Sequence, residues 1–224
     1  MYDIILFDLD GTLTDPKIGI TRCVQYALEK LGIIEDDLEA LVHFIGPPLM
    51  LTFKEHYHLT DEQARQALAY YRERFSTVGL YENAVFPGIP ELLDSLVKEG
   101  KTLFVATSKP TVYSVRILEH FGLQGYFQAI IGSNLDGTRV EKFEVIEYLL
   151  SQLGDHDRRK VLMVGDRKHD VIGARKHDIA VAAVGYGYGT AEELTGADPD
   201  YLVQTVQELE KLLLSLSACP DRQS

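Results

Sequence analysis

Two carboxylates separated by one residue, Asp8 and Asp10, follow the apolar run 4–7 in the segment DLDGTLTD, which ends at Asp15. Crowded carboxylates repel, and burying one without a partner is costly. The segment is therefore either a solvated acidic turn or a place for a cation and a reaction. If residues 4–7 form a strand, alternation points Asp8 and Asp10 to one side and turns Leu9 toward the core. Gly11 then lets the backbone approach a ligand closely.

Similar chemistry follows other apolar runs. Thr107-Ser108-Lys109 closes the run 102–106, Gly165-Asp166 closes the run 161–164 with Asp170 just beyond, and Lys142 stands at the start of a helical pattern. Ligands of open parallel sheets bind beyond the carboxyl ends of the strands, so these groups converge if the runs are parallel strands. Three carboxylates around one point suit a hard cation such as Mg2+. Hydroxyl and ammonium donors facing them hold phosphate oxygens. A metal, a carboxylate nucleophile and phosphate donors together imply phosphoryl transfer through an aspartyl-phosphate.

The elements needed to position these groups are legible. Apolar runs at 4–7, 102–106, 129–131, 161–164 and 180–184 read as buried parallel strands, with 201–203 as an edge strand. Helical patterns at 89–99, 111–121, 140–153 and 170–177 alternate with them, and 206–216 closes the chain; this predicts a doubly wound α/β domain. Between the first two strands lie roughly seventy residues, far beyond an ordinary crossover. They read as helices: Asp15-Pro16 as N-cap and first turn, then Ile20, Val24, Ala27, Leu28 and Leu31 at helical spacing up to Gly32. Further helical patterns cover 36–44, 49–56 and 61–75, and Phe86-Pro87-Gly88 marks the return to the sheet. The expected division is a catalytic core of residues 1–14 and 87–224 with an inserted all-helical cap of residues 15–86.

Composition narrows the partners. The 224 residues carry 22 Lys and Arg against 34 Asp and Glu, a net charge of −12. This balance argues against nucleic acid and anionic membrane surfaces, but not against a small anionic substrate met by local cations and a metal. No apolar run approaches the ~18 residues that span a bilayer, and no signal peptide precedes the first strand, so a cytoplasmic protein is expected. Cys23 and Cys219 fit no metal or redox spacing and read as free thiols of a reducing compartment. Disorder is expected only in the closing CPDRQS. The partner expected is a small phosphorylated metabolite, and the chain is read as a monomer or small homo-oligomer.

The motifs DLDGTLTD, helical insertion, VATSKP, lysine and VGDRKHD resemble those of the haloacid dehalogenase superfamily, within it the phosphoglycolate phosphatase-like group with a small helical cap. The resemblance covers essentially the whole chain. It implies a Rossmannoid core, Asp8 as nucleophile and Asp10 as general acid and base. It implies Mg2+ held by Asp8, the backbone carbonyl of Asp10 and Asp166, with Asp170 in support. Thr107 and Lys142 would bind the transferring phosphoryl group, helped by backbone donors near Leu9, Gly11 and Ser108. One departure stands out: relatives often follow the lysine with Pro-x-Pro, whereas Phe143-Glu144-Val145 follows Lys142 here, and Arg139 is close enough to compete for its role. The implied substrates are phosphoglycolate or a 5′-nucleotide. A sugar-phosphate mutase shares the nucleophile, metal and cap. A dehalogenase would need neither Asp10 nor a metal, and a non-turnover phosphoacceptor module would be shorter and without the insertion.

Other features have plainer readings. Gly185-Tyr186-Gly187-Tyr188-Gly189 follows the last core strand rather than the first, so it reads as a flexible loop near the site rather than a dinucleotide fingerprint. His56 and His58 lack a third ligand and read as solvated. Arg158-Arg159-Lys160 reads as a solvated lead-in to a strand. Ile45-Gly46-Pro47-Pro48-Leu49 is a stiff turn, structural or projecting into the cleft.

Overall fold

The computed structural model describes residues 2–154 and 156–216. Cys219 and the CPDRQS segment lie outside the described residues. The centre of the fold is β1 (Ile4–Phe7), whose four side chains are all buried. It pairs in parallel with β4 (Thr102–Pro110) on one side and β6 (Val161–Gly165) on the other. With β5 (Phe127–Ser133), β7 (Ala180–Val184) and β8 (Tyr201–Val203), the sheet has the order β5-β4-β1-β6-β7-β8, and every pair is parallel. The chain winds outward through β4 and β5, then returns beside β1 and winds out the other way. The order thus reverses next to β1, which puts Asp8 at the switch point where such sheets bind ligands.

A strand buried on both faces carries apolar side chains at every position rather than at alternate ones. Ile5 and Phe7 join one core cluster with Leu92, Ile117 and Leu209, from α4 (Ile89–Lys98), α5 (Thr111–His120) and α9 (Val206–Ser215). Ile4 and Leu6 join a second cluster with Val145, Ile146 and Val171, from α6 (Lys142–Leu153) and α7 (Lys168–Arg175). Helices therefore cover both faces, as the alternation of runs predicts.

Two short strands, β2 (Thr14–Asp15) and β3 (Ala84–Val85), pair antiparallel, so the chain leaves and re-enters the sheet region side by side. Between them lie α1 (Lys17–Lys30), α2 (Leu49–Tyr57) and α3 (Asp61–Phe75). Ile20, Val24, Ala27 and Leu28 of α1 share a buried cluster with Ala64, Ala67, Tyr71 and Phe75 of α3. No described helix is long and apolar enough to cross a membrane.

The structure corrects several expectations. Asp15 is not the N-cap of α1: it stands in the β2–β3 ribbon and Pro16 takes the cap position, although the Asp15 carboxylate still accepts the Lys17 N–H at 3.0 Å. Residues 36–38 are not helical, and Glu39–Phe44 forms a 3-10 helix. Glu35 and Asp37 accept the backbone N–H groups of Asp37 and Glu39 at 3.1 and 2.9 Å, and such local bonds compete with an α-helix. The strand β4 runs past residue 106 through a register shift to pair Pro110 with Ser133. A short helix, α8 (Ala191–Ala197), buries only Leu194 and so has no apolar period to announce it.

Candidate active site at the strand tips

Each group of the site is delivered by a different strand end. Beyond β1 the backbone folds sharply: the N–H groups of Thr12, Leu13 and Thr14 all donate to the Leu9 carbonyl, and Gly11 donates to Thr14 at 2.8 Å. Gly11 has φ +84°, and a Cβ there would run into the Asp166 carboxylate, so only glycine fits. Asp8 and Asp10 are both buried, with Leu9 fully enclosed in the core. Lys142, the first residue of α6, reaches back across β4. Its Nζ lies 2.8 Å from Asp8 Oδ1 and 2.7 Å from Asp170 Oδ1, and donates to the Ala106 carbonyl at 2.9 Å. Asp166 Oδ2 accepts the Tyr188 N–H at 2.7 Å, and Asp170 Oδ2 accepts the Arg167 N–H at 3.0 Å. Asp10 Oδ2 is paired with Lys109 Nζ at 2.5 Å, and that ammonium also sits 4.7 Å from the centre of the Phe75 ring.

Burial and mutual repulsion dominate the electrostatics. Burial raises the Asp10 carboxyl above the usual carboxylate range, against the pull of Lys109. Burial, then the charges of Asp8 and Asp170, push Asp166 well above that range. Burial outweighs Lys142 at Asp170, whose carboxyl is pushed up to about 6. For Lys142 burial alone would favour the neutral amine, but Asp170 and Asp8 overcome it and hold the ammonium more firmly than usual. Ligand oxygens of Asp8, Asp166 and Asp170 lie within 4.8 Å of one another, and Asp166 Oδ1 is buried without a hydrogen-bond partner. Fully ionised, the four buried acids exceed the two buried ammoniums of Lys109 and Lys142 by two charges. A divalent oxygen-seeking cation would balance that excess, so the residues present fit the Mg2+ expected from the sequence.

Above these groups is a cavity of about 290 Å3. Asp8, Asp10, Thr107 and Lys109 form its floor, and Phe44, Leu49, Leu68, Tyr71 and Phe75 from the helical segment form an apolar wall. The turn Gly46-Pro47-Pro48 also lines it.

A family profile described as haloacid dehalogenase-like hydrolase matches residues 5–184. The chain belongs to this family. It is 51% identical over 217 residues to a 5′-nucleotidase of Pseudomonas aeruginosa, covering 96% of each chain. It is 38% identical to the tyrosine-protein kinase PtkA of Mycobacterium tuberculosis, covering 94% of this chain and 72% of that protein. Among solved structures, a predicted phosphatase from Clostridium acetobutylicum superposes with a TM-score of 0.92 at 48% identity, covering 96% of this chain and 99% of that one. These likenesses make the protein a haloacid dehalogenase-like phosphatase.

In this phosphatase, Asp8, Asp10, Asp166, Asp170 and Lys142 converge as the sequence predicts. Thr107 is buried at the cavity floor, its hydroxyl accepting the Lys109 N–H at 3.3 Å. Ser108 lines the cavity, and its carbonyl accepts the Ser133 hydroxyl at 2.8 Å. Between the two candidate bases, Lys142 reaches the acids and Arg139 does not. Arg139 donates to the Gly132 carbonyl at 2.8 Å and to Asn134 at 3.0 Å, and stacks over Tyr148. The sequence places Lys109 at the strand tip without assigning it a partner, although strand alternation with Thr107 signals that both face the same side.

It also underrated residues 185–189. The Tyr186 hydroxyl donates to the Thr12 carbonyl at 3.0 Å, and the Tyr188 hydroxyl donates to Asp15 in β2. A Cβ at Gly187 would collide with the Gly11 carbonyl and Asp166. The segment is therefore a scaffold pressed against the acids rather than a loose loop. His56 stacks on His43 with ring centres 3.7 Å apart, and His58 ends α2 with φ 51°. Arg159 and Lys160 pair with Asp157 and Asp3 at the surface, as a solvated lead-in should.

Proposed function

We propose that this phosphatase is a phosphomonoesterase for a small organic phosphate, working through an aspartyl-phosphate on Asp8, with residues 15–86 as a cap over a core of 1–14 and 87–224. The observation that carries the reading is a pair of neighbouring buried carboxylates, each held by its own lysine. Asp8 is held by Lys142 and Asp10 by Lys109, both at the floor of one cavity. An Asp8 oxygen attacks phosphorus while the leaving-group oxygen takes a proton from Asp10. The Asp10 carboxylate then takes a proton from water, whose oxygen attacks the phosphorus of aspartyl-phosphate and releases inorganic phosphate. Lys142 orients Asp8 and, with Thr107 and the backbone N–H groups near Leu9 and Ser108, faces the phosphoryl oxygens; the Gly11 N–H, which the sequence assigns to the same task, is taken by the Thr14 carbonyl, so Gly11 shapes the turn instead. Asp8, Asp166, Asp170 and the Asp10 carbonyl would hold Mg2+, which when bound supplies positive charge to the transferring group.

The wall of Phe44, Leu49, Leu68, Tyr71 and Phe75 favours a leaving group with apolar surface. A 5′-nucleotide suits it better than phosphoglycolate, whose short carboxylate tail would leave much of the cavity empty. The test is inorganic phosphate release from a 5′-nucleotide, phosphoglycolate and an aryl phosphate, with Mg2+ and with EDTA. The reading predicts Mg2+-dependent release, fastest from the nucleotide. Isomerisation of a sugar phosphate without net release would favour the mutase instead. Phosphate appearing on protein tyrosines from ATP would favour the activity named for the mycobacterial relative.

A further inference from the structure

The turn Ile45-Gly46-Pro47-Pro48 lines the cavity from the helical side through Gly46, Pro47 and Pro48, and one side chain from the sheet side holds it. Arg167, between Asp166 and Asp170, donates from a terminal guanidinium nitrogen to the Ile45 carbonyl. The rest of its guanidinium is forked against Glu193 of α8, with Nε and the second terminal nitrogen 2.8 and 3.1 Å from the two carboxylate oxygens. The Lys168 N–H adds a third donor to Glu193 at 2.9 Å, and Thr190 caps the helix that carries it. Both side chains are largely enclosed, at 13% and 15% exposure. A bidentate fork fixes the plane of a guanidinium, so the free nitrogen is aimed at Ile45 before any ligand arrives. Gly46 has φ +103°, and a Cβ there would sit 3.0 Å from the same nitrogen, so the turn has no room for a side chain at the contact.

We propose that Arg167, oriented by Glu193, is a positioning residue that bolts the Ile45-Gly46-Pro47-Pro48 turn across the cavity and so sets how firmly a bulky leaving group is retained. This rests on the phosphomonoesterase reading for its kinetic consequence, but the bolt itself is a property of the fold. A small leaving group does not reach the turn. A nucleoside-sized one does, and loses its backstop when the turn is released. Losing one hydrogen bond from a charged donor corresponds to about a ten-fold weaker hold on the bulky substrate.

The experiment uses the full chain and two readouts. Hydrogen–deuterium exchange of peptides spanning residues 42–52 is compared among wild type, Arg167→Met, Arg167→Lys and Glu193→Gln. The bolt predicts faster exchange there in Arg167→Met and Glu193→Gln, with the lysine variant between them and wild type. Steady-state phosphate release is then measured for Glu193→Gln with adenosine monophosphate and with acetyl phosphate. The expected result is a KM for the nucleotide raised about ten-fold, with kcat and the acetyl phosphate KM within two-fold of wild type. Unchanged exchange, or a KM rising equally for both substrates, would overturn the proposal. If no phosphate ester is turned over by wild type, the phosphomonoesterase reading fails and exchange alone decides the bolt.

Discussion

Replacing Lys142 by methionine removes the ammonium that lies 2.8 Å from Asp8 and 2.7 Å from Asp170 while keeping most of the volume. Both carboxylates are buried, and the other buried ammonium beside the acids, Lys109, is committed to Asp10. Removing one partner of a buried ion pair costs about 3–5 kcal/mol, because the other charge is left uncompensated. For a chain of this size each kcal/mol moves the melting temperature by about 2–4 °C, so Lys142→Met is expected to melt roughly 6–20 °C below wild type in EDTA. The deficit depends on pH. Asp170 is already lifted to about 6, and without Lys142 its carboxyl rises further. A carboxyl raised in the folded state weakens the fold where it is forced to ionise, so the deficit is widest near pH 8 and narrows toward pH 5 as Asp170 takes up a proton. Added Mg2+ narrows it as well, by supplying charge to the same oxygens. The assay is circular-dichroism melting at pH 8 and pH 5, with and without Mg2+. A Lys142→Met protein that melts within about 2 °C of wild type in EDTA at pH 8 would refute the reasoning.

Two further outcomes follow from particular contacts. Gly11→Ala forces a Cβ into the Asp166 carboxylate at a φ of +84°; strain of about 1–2 kcal/mol and displacement of a carboxylate proposed to hold the metal predict Mg2+ affinity down roughly 10–100-fold by calorimetry, and unchanged affinity would contradict the close approach. His43 is held below its usual pKa, first by burial and then by the stacked His56. A depressed histidine contributes stability above its unfolded pKa that is lost as pH falls. His43→Gln should therefore melt with a shallower decline than wild type between pH 7.5 and 5.5, and parallel declines would exclude this role.

The sheet was legible because a strand buried on both faces must be apolar throughout, and little else in the chain reads that way. The acids were legible because Asp8, Asp10, Asp166 and Asp170 sit just beyond such runs, where parallel sheets bind ligands. Local polar chemistry was harder to read. Asp15-Pro16 satisfies the rule for a helix start, but pairing with Ala84 draws Asp15 into a ribbon instead. Glu35 and Asp37 compete for the N–H groups an α-helix would use, and no pattern of apolar residues registers that. Residues 185–189 were opaque for another reason. Their glycines answer to Gly11, Asp166 and Gln204, partners distant in sequence that only the folded sheet brings near. Lys109 likewise gains its meaning from Asp10, in the turn just beyond the neighbouring strand β1.

The central claim, that Asp8 accepts the phosphoryl group, is tested most directly by trapping it. Asp10→Asn removes the base needed for the second half-reaction, while p-nitrophenyl phosphate needs little acid assistance for the first. Acid quench of that variant with Mg2+ and substrate, followed by peptide mass spectrometry, should find one phosphoryl group on the peptide containing Asp8, matched by a burst of one p-nitrophenolate per protein. Steady turnover with no phosphorylated peptide, or label on a residue other than Asp8, would contradict the account.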